Sequence, residues 1–364
     1  MIGKLLKLAA VSFCAVFAFF FYKIAFRFPA LVETVYSRKI YPALSKLIGS
    51  LTSTFSFSAA EILLYLFAVS VIFFTVYTIC AFFKPAGLKL YTVGKRILTF
   101  LIMLCMIYTM FVFSWGLNYA RLPLADSMGI ETTEYSTEEL KQTCEVLMTR
   151  VNALRKQVAE DENGIFQLSI TRENILEGMG DIYAAYAPDY MNLAVKSQVK
   201  KVFTKNLLSY TLTTGVYSPF TFEANINMQM PDLFFAPTAA HEYAHLQGFA
   251  REDEANFIAW YVLSKSDNID FAYSANAFAL SYCLNALGKA SFDDYTILYQ
   301  SLFEGVKRDY IDHASYWDGF KSEISEKSKE IYDSYLSTNG VKDGIQSYGR
   351  MIDLIIALNN NGTL

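Results

Sequence analysis

The chain has 364 residues, of which 53% are hydrophobic and only 18% charged, with a mean hydropathy of +0.25; soluble domains carry about 25% charged residues, so the composition points to a membrane. Its 25 tyrosines and 30 phenylalanines exclude a disordered chain, and 18 glycines and 5 cysteines over this length exclude collagen-like and disulfide-scaffold chains. The net charge of -4 hides an asymmetry, since residues 1–117 hold 11 Lys and Arg against 2 acids and residues 118–364 hold 20 against 33.

Three apolar runs occupy the basic part. The first, Leu8–Tyr22, is flanked by Lys4, Lys7, Lys23 and Arg27 and reaches spanning length, over about residues 5–28, when Lys23 snorkels to the interface. A cleaved signal peptide is the rival reading, but no small-x-small cleavage site follows Phe21-Tyr22-Lys23. The second and third runs, Ile62–Phe83 and Ile97–Leu117, are 22 and 21 residues without a charge, against the roughly 20 needed to cross about 30 Å of hydrocarbon. Lys4 and Lys7 at the N-terminus, and Lys84, Lys89, Lys95 and Arg96 between spans two and three, are denser than the positives between spans one and two. The N-terminus and the second loop are therefore expected in the cytoplasm, with everything after Trp115 outside. Glu61 stands at the mouth of span two, and Cys14, Cys80 and Cys105 read as small buried hydrophobes. With no ionisable residue at a span centre, residues 1–120 read as a membrane anchor rather than a transport path.

Residues 121–364 read as one domain. Ser136-Thr137-Glu138-Glu139 is a capping box ahead of a helix running towards Ala159, and Thr171–Tyr186 predicts a second helix, stopped before Pro188. Leu207–Val216 and Phe220–Met228 alternate around Gly215 and Pro219 and predict a small β-hairpin. After Pro237 the pattern is helical, with breaks expected at Gly248, Gly288 and Gly340. The expected fold is three transmembrane α-helices followed by a mainly α, α+β extracytoplasmic domain with a small hairpin or sheet. Cys144 and Cys283 are the thiols outside the spans, and whether they pair stays open.

The chain has 3 histidines, and two of them fall four apart in His241-Glu242-Tyr243-Ala244-His245. On a helix these share a face, so both imidazoles can grip one cation, while Glu242 lies beside them within reach of a metal-bound water. Pro237 and Gly248 bracket a helix of suitable length. Zinc needs a third protein ligand and an open fourth position. Glu252, Asp253 and Glu254 open the next helix. Glu252 heads a stripe of small residues with Ala255, Asn256 and Ala259, which would pack on the histidine helix. Glu254 falls with Phe257, Ile258 and Tyr261 on a bulkier face. The expected third ligand is Glu252, ahead of Glu254 and then Asp253. Asn256 is expected to support a ligand from behind. His313, Tyr316 and other tyrosines are candidate oxyanion donors.

His241-Glu242-Tyr243-Ala244-His245 followed by Glu252…Ala255-Asn256 resembles the zincin metallopeptidases whose third ligand is a glutamate, the gluzincins. Only seven positions separate His245 from Glu252, fewer than is usual there, and a similarly short glycine turn serves the HExxHxxGxxH zincins. The whole chain, from three spans through Met230-Pro231 to Phe257, further resembles a family of bacterial membrane proteins of unknown function that carries a metallopeptidase motif.

That resemblance implies a Zn2+-dependent peptidase. Zinc would be held by His241, His245 and Glu252, with Glu242 as general base on zinc-bound water. The implied partners are a peptide or protein substrate and the lipid bilayer. Phe220–Met228 would supply an edge strand for an extended peptide, with Glu223 and Asn225 as possible rim contacts. The rival readings are a non-catalytic membrane-anchored binding domain with a structural metal or a degenerate site, and hydrolysis of another amide such as one in the cell wall. Nothing in the acidic half suggests nucleic-acid binding.

Overall fold

In the computed structural model, which describes residues 2–83, 85–132, 134–195, 197–341 and 343–362, each apolar run lies in a long helix. These are α1 (Ile2–Ala25), α3 (Ala59–Ile79) and α4 (Ala86–Ser114), with α2 (Tyr41–Thr52) in the connection between the first two. Leu6–Ala25, Ala59–Phe83 and Leu88–Ser114 are long and apolar enough to cross a membrane. The first expected span ran to residue 28, but the helix stops at Ala25, ahead of Pro29. The third helix begins 11 residues before the expected Ile97. Pro85 caps it, so Lys89, Lys95 and Arg96 ride on its first turns instead of forming a loop, since lysine and arginine are good helix formers. Lys84 lies outside the described residues. Arg96 is accommodated by stacking its guanidinium 3.4 Å over the Tyr77 ring. The helix ends at Ser114 because Trp115 leaves helical geometry at φ -148°, and a short buried turn, Gly116–Ala120, follows.

The connection between α1 and α3 is structured throughout. Val32–Ile40 winds as a π-helix and runs directly into α2. Beyond the spans come α5 (Thr137–Arg155), which begins with the expected capping box on Ser136 and Glu139, and α6 (Arg172–Tyr186), capped by Thr171. A three-stranded sheet follows, made of β1 (Val199–Lys201), β2 (Gly215–Ser218) and β3 (Glu223–Ile226) in the order β1-β3-β2. β2 and β3 are the antiparallel hairpin, and β1 adds in parallel with Val199 opposite Ala224.

Two expectations fail here. Leu207–Thr213 is turns rather than strand, with Leu212 in the left-handed region at φ +51°. β3, the strand within Phe220–Met228, is central and not an edge, because β1 takes its second side; the edges of the sheet are β1 and β2. Glu223 and Asn225 are likewise not rim residues, at 0% and 1% exposure. Glu223 accepts from the backbone N–H groups of Ala59 (3.3 Å) and Ala60 (2.8 Å) and from Lys200 Nζ (2.6 Å). It thus places a carboxylate at the positive end of α3. Asn225 Oδ1 accepts from Ser58 Oγ, and Ser58 in turn caps α3. Glu61 accepts from the N–H groups of Phe203 and Thr204. The start of α3 is therefore fastened to the sheet by polar contacts.

The rest of the domain is helical: α7 (Phe235–Leu246), α8 (Glu252–Ser264), α9 (Ile269–Ala290), α10 (Phe292–Gln300), α11 (Glu304–Asp318), α12 (Glu323–Thr338) and α13 (Met351–Asn360). Every residue of α7 is buried, and it forms the centre of the core. Gly248 and Gly340 interrupt helices as expected, at φ +83° and +92°. Gly288 does not; α9 runs through it to Ala290. Cys144 on α5 and Cys283 on α9 are buried and present as free thiols.

Candidate metal centre

The geometry of the site starts at the turn between α7 and α8. Gly248 adopts a left-handed conformation, which ends α7 and lets the Phe249 N–H reach the Ala244 carbonyl at 3.1 Å. A β-carbon there would also meet the Tyr41 ring at 3.1 Å. This tight reversal brings the first residue of α8 back over the histidine face. The small residues Ala255 and Ala259 are fully buried where the two helices pack.

As a result, His241, His245 and Glu252 converge, with their ligating atoms all within 4.8 Å of one another. Glu252 Oε2 lies 3.1 Å from His241 Nε2 and 3.4 Å from His245 Nε2. Zinc–ligand bonds of 2.0–2.2 Å in a tetrahedron set ligand atoms about 3.3 Å apart, so the spacing suits a divalent ion. The outer nitrogens fix the tautomers. His245 Nδ1 faces the Phe249 carbonyl at 2.6 Å and must donate to it. His241 Nδ1 faces Asn256 Oδ1 at 2.7 Å, while Asn256 Nδ2 donates to the Tyr348 carbonyl and the Tyr282 hydroxyl. Both Nε2 atoms are thereby turned towards Glu252 Oε2. Such supporting contacts orient ligands in metal sites.

The electrostatics agree with a cation-shaped centre. Burial lowers the basicity of His245, but the Glu252 carboxylate outweighs it and carries the imidazole up to about 9. Burial would raise Glu252, and the two imidazoles overcome this and hold its carboxyl far below the usual carboxylate range. Glu252 Oε1 accepts from the Tyr332 hydroxyl at 2.6 Å.

Glu242 stands beside the cluster. Burial pushes its carboxyl up to about 7, with the two imidazoles opposing, and its Oε2 has no hydrogen-bond partner. The backbone of β2 presses against it: a β-carbon on Gly215 would lie 2.5 Å from Glu242 Oε1. Only a glycine leaves this carboxylate its place.

The other candidates lie elsewhere. Glu254 Oε1 accepts from the Leu124 N–H (2.8 Å) and from Arg251 Nη1 (2.7 Å). Asp253 lines a cavity of about 340 Å³ with Arg251 and Arg350, and burial raises its carboxyl to about 7. His313 accepts from Trp317 Nε1 at 3.1 Å and packs on Phe234, where burial lowers it to about 4. Tyr316 hydrogen-bonds Ser209 at 2.7 Å. Among the described residues no fourth His, Cys, Asp or Glu joins the cluster.

The surroundings that sequence reading missed are aromatic and come from distant segments. Tyr348 stacks on His241 with ring centres 6.1 Å apart, and Trp115, at the end of α4, meets the His245 ring edge-on at 5.9 Å. Tyr41 of α2 donates towards the His245 and Leu246 carbonyls at 3.2 and 3.1 Å. Arg121 makes a two-point pair with Glu33 at 2.8 Å and donates to the Gly248 carbonyl at 2.9 Å. None of these carried a local signal; Gly215, beside Glu242, was visible only as a glycine inside a predicted strand.

No curated protein and no solved structure matches this chain. The family model described as "Protein of unknown function (DUF3810)" matches residues 36–356, from the connection after the first span to the last helix. With both the spans' junction and the histidine–glutamate cluster inside that match, the chain belongs to the DUF3810 family.

Proposed function

We infer that the chain is a membrane-anchored, zinc-dependent peptidase of the zincin type, with the domain after α4 on the extracytoplasmic side. The observation that carries this reading is the convergence of His241, His245 and Glu252 beside a buried, unpartnered Glu242 carboxylate. Two neutral imidazoles and a carboxylate with no fourth protein ligand are the donor set of catalytic zinc sites. Zinc held there supplies Lewis acidity, acidifying water and polarising a scissile carbonyl. Glu242 Oε2 takes the proton of the attacking water and delivers it to the leaving amine. Gly215 and the β2 backbone hold that carboxylate in place. The free edge of β2 is where an extended peptide could pair. The basic residues at the start of α1 and of α4 support a cytoplasmic N-terminus.

One observation favours the rival reading of a structural metal in a binding domain. All three ligands are buried, Glu252 to 2% exposure, with Tyr332 closing over its second oxygen. Metal content of the purified chain, beside His241→Ala and Glu242→Gln, tests the first step. About one zinc per chain in wild type and Glu242→Gln, and none in His241→Ala, is the expected result. Turnover of a peptide library by wild type but not by Glu242→Gln then separates peptidase from binding domain. Absence of zinc from the wild type after chelator-free purification removes both metal readings.

A further inference from the structure

The connection between α1 and α3 has two faces of opposite character. Tyr36, Ser37, Tyr41, Ser45 and Thr52 are buried against the domain and the span ends. On the other flank Leu31, Val35, Ile40, Leu47 and Leu51 are 60, 42, 46, 71 and 65% exposed. The spacing makes them one stripe: Ile40, just ahead of α2, falls on a common helical row with Leu47 and Leu51. The wider π-helical turn of Val32–Ile40 extends that row back through Val35. Lys46 and Ser50 are exposed on a third, polar flank. An apolar stripe of this length facing water is uncommon in a folded domain.

What covers it follows from its two ends. The connection leaves α1 and enters α3, both of which present exposed apolar side chains along their length. Along the chain, the stripe is thus flanked at both ends by helices long and apolar enough to cross a membrane. A helix with one apolar flank and a cationic polar flank, tied at both ends to spans, fits the boundary between headgroups and acyl chains. We propose that Leu31–Leu51 lies in the plane of the membrane, with its apolar stripe in the acyl region of the domain-side leaflet. Through Tyr41, which donates to the His245 and Leu246 carbonyls from the opposite face of the same helix, it fixes the histidine–glutamate cluster at the bilayer surface. The proposal stands whether or not that cluster is catalytic.

The test uses the full chain in phosphatidylcholine vesicles, with and without bromine on the acyl chains, and follows tryptophan emission of Leu47→Trp and Leu51→Trp against wild type. Two positions keep the test alive if one variant fails to fold. The added emission is expected to fall about twofold or more with brominated lipid and to resist iodide. Ser50→Trp, on the polar flank, should show the reverse order. Quenching of Leu47→Trp and Leu51→Trp by iodide but not by bromine would place the stripe in water. Quenching by neither would show it covered by protein, such as a second copy. Either result overturns the proposal.

Discussion

Gly215 lies so close to Glu242 that a single added methyl group would occupy the space of the carboxylate, 2.5 Å from both Cγ and Oε1. The contact joins β2, an edge strand of the sheet, to the side chain proposed as base, while the three ligands come from α7 and α8 alone. Gly215→Ala should therefore move Glu242 and leave the ligands where they are. The expected outcome is unchanged zinc stoichiometry with turnover lowered by about 10²-fold, the loss typical of a displacement near 1 Å. Metal analysis beside peptide-hydrolysis rates reads both quantities; parallel loss of metal would show instead that the sheet supports the ligands.

Tyr332 and Asn256 touch ligands without being ligands. Removing such a partner typically weakens metal binding by about 10–100-fold. Tyr332→Phe and Asn256→Ala should both do so, measured by zinc competition with a chromogenic chelator. Unaltered affinity in both would mean the cluster is held by packing alone.

Arg121 and Glu33 form a two-point ion pair whose side chains are 2% and 5% exposed. Taking away one member strands the other charge, which costs about 3–5 kcal/mol in buried pairs. Glu33→Gln should lower the thermal midpoint of the detergent-solubilised chain sharply. Because Arg121 also holds the Gly248 carbonyl, zinc affinity should fall in the same variant. A midpoint within a degree or two of wild type would contradict this.

His313 predicts an acid limb of stability. Burial lowers its pKa from 6.5 to about 4, so the unfolded chain takes up a proton that the folded chain refuses. Its contribution is complete above pH 6.5 and is lost as pH falls towards 4, by up to about 3 kcal/mol. Protonation would also cancel the acceptor that Trp317 Nε1 uses. Melting curves from pH 7.5 to 4.5 should show a smaller drop in His313→Asn than in wild type. Because the ring is bonded away from the cluster, that variant should keep its zinc.

Local pattern was enough for the three long apolar helices, for those opening at Ser136 and Thr171, and for the three converging residues. Capping of α5 by Ser136 and Glu139, the i, i+4 histidines and the glycine turn at Gly248 all act within a few residues. Glu252 was separable from Glu254 because the small-residue stripe dictates which side of α8 can approach α7. Contacts made across the chain were not legible. Tyr332 reaches Glu252 over 80 residues, and Lys200 reaches Glu223 from a three-residue strand too short to leave a periodic trace. That same short strand turned the expected edge into the middle of the sheet. The connection before α3 carries no motif, since its tyrosines, glutamate and serines act only through what folds against them.

The hold of Tyr41 on the end of α7 bears on how the protein can be handled. A fragment started after the last span, the usual route to a water-soluble sample, would take the Tyr41 hydroxyl away from the His245 and Leu246 carbonyls. It would also strip Arg121 of its carboxylate and uncover Phe222 and Ala250, which pack with Tyr41 and Trp115. Inactivity of such a fragment would report a broken scaffold and say nothing about chemistry. Screening for substrates calls for the entire polypeptide in detergent or lipid.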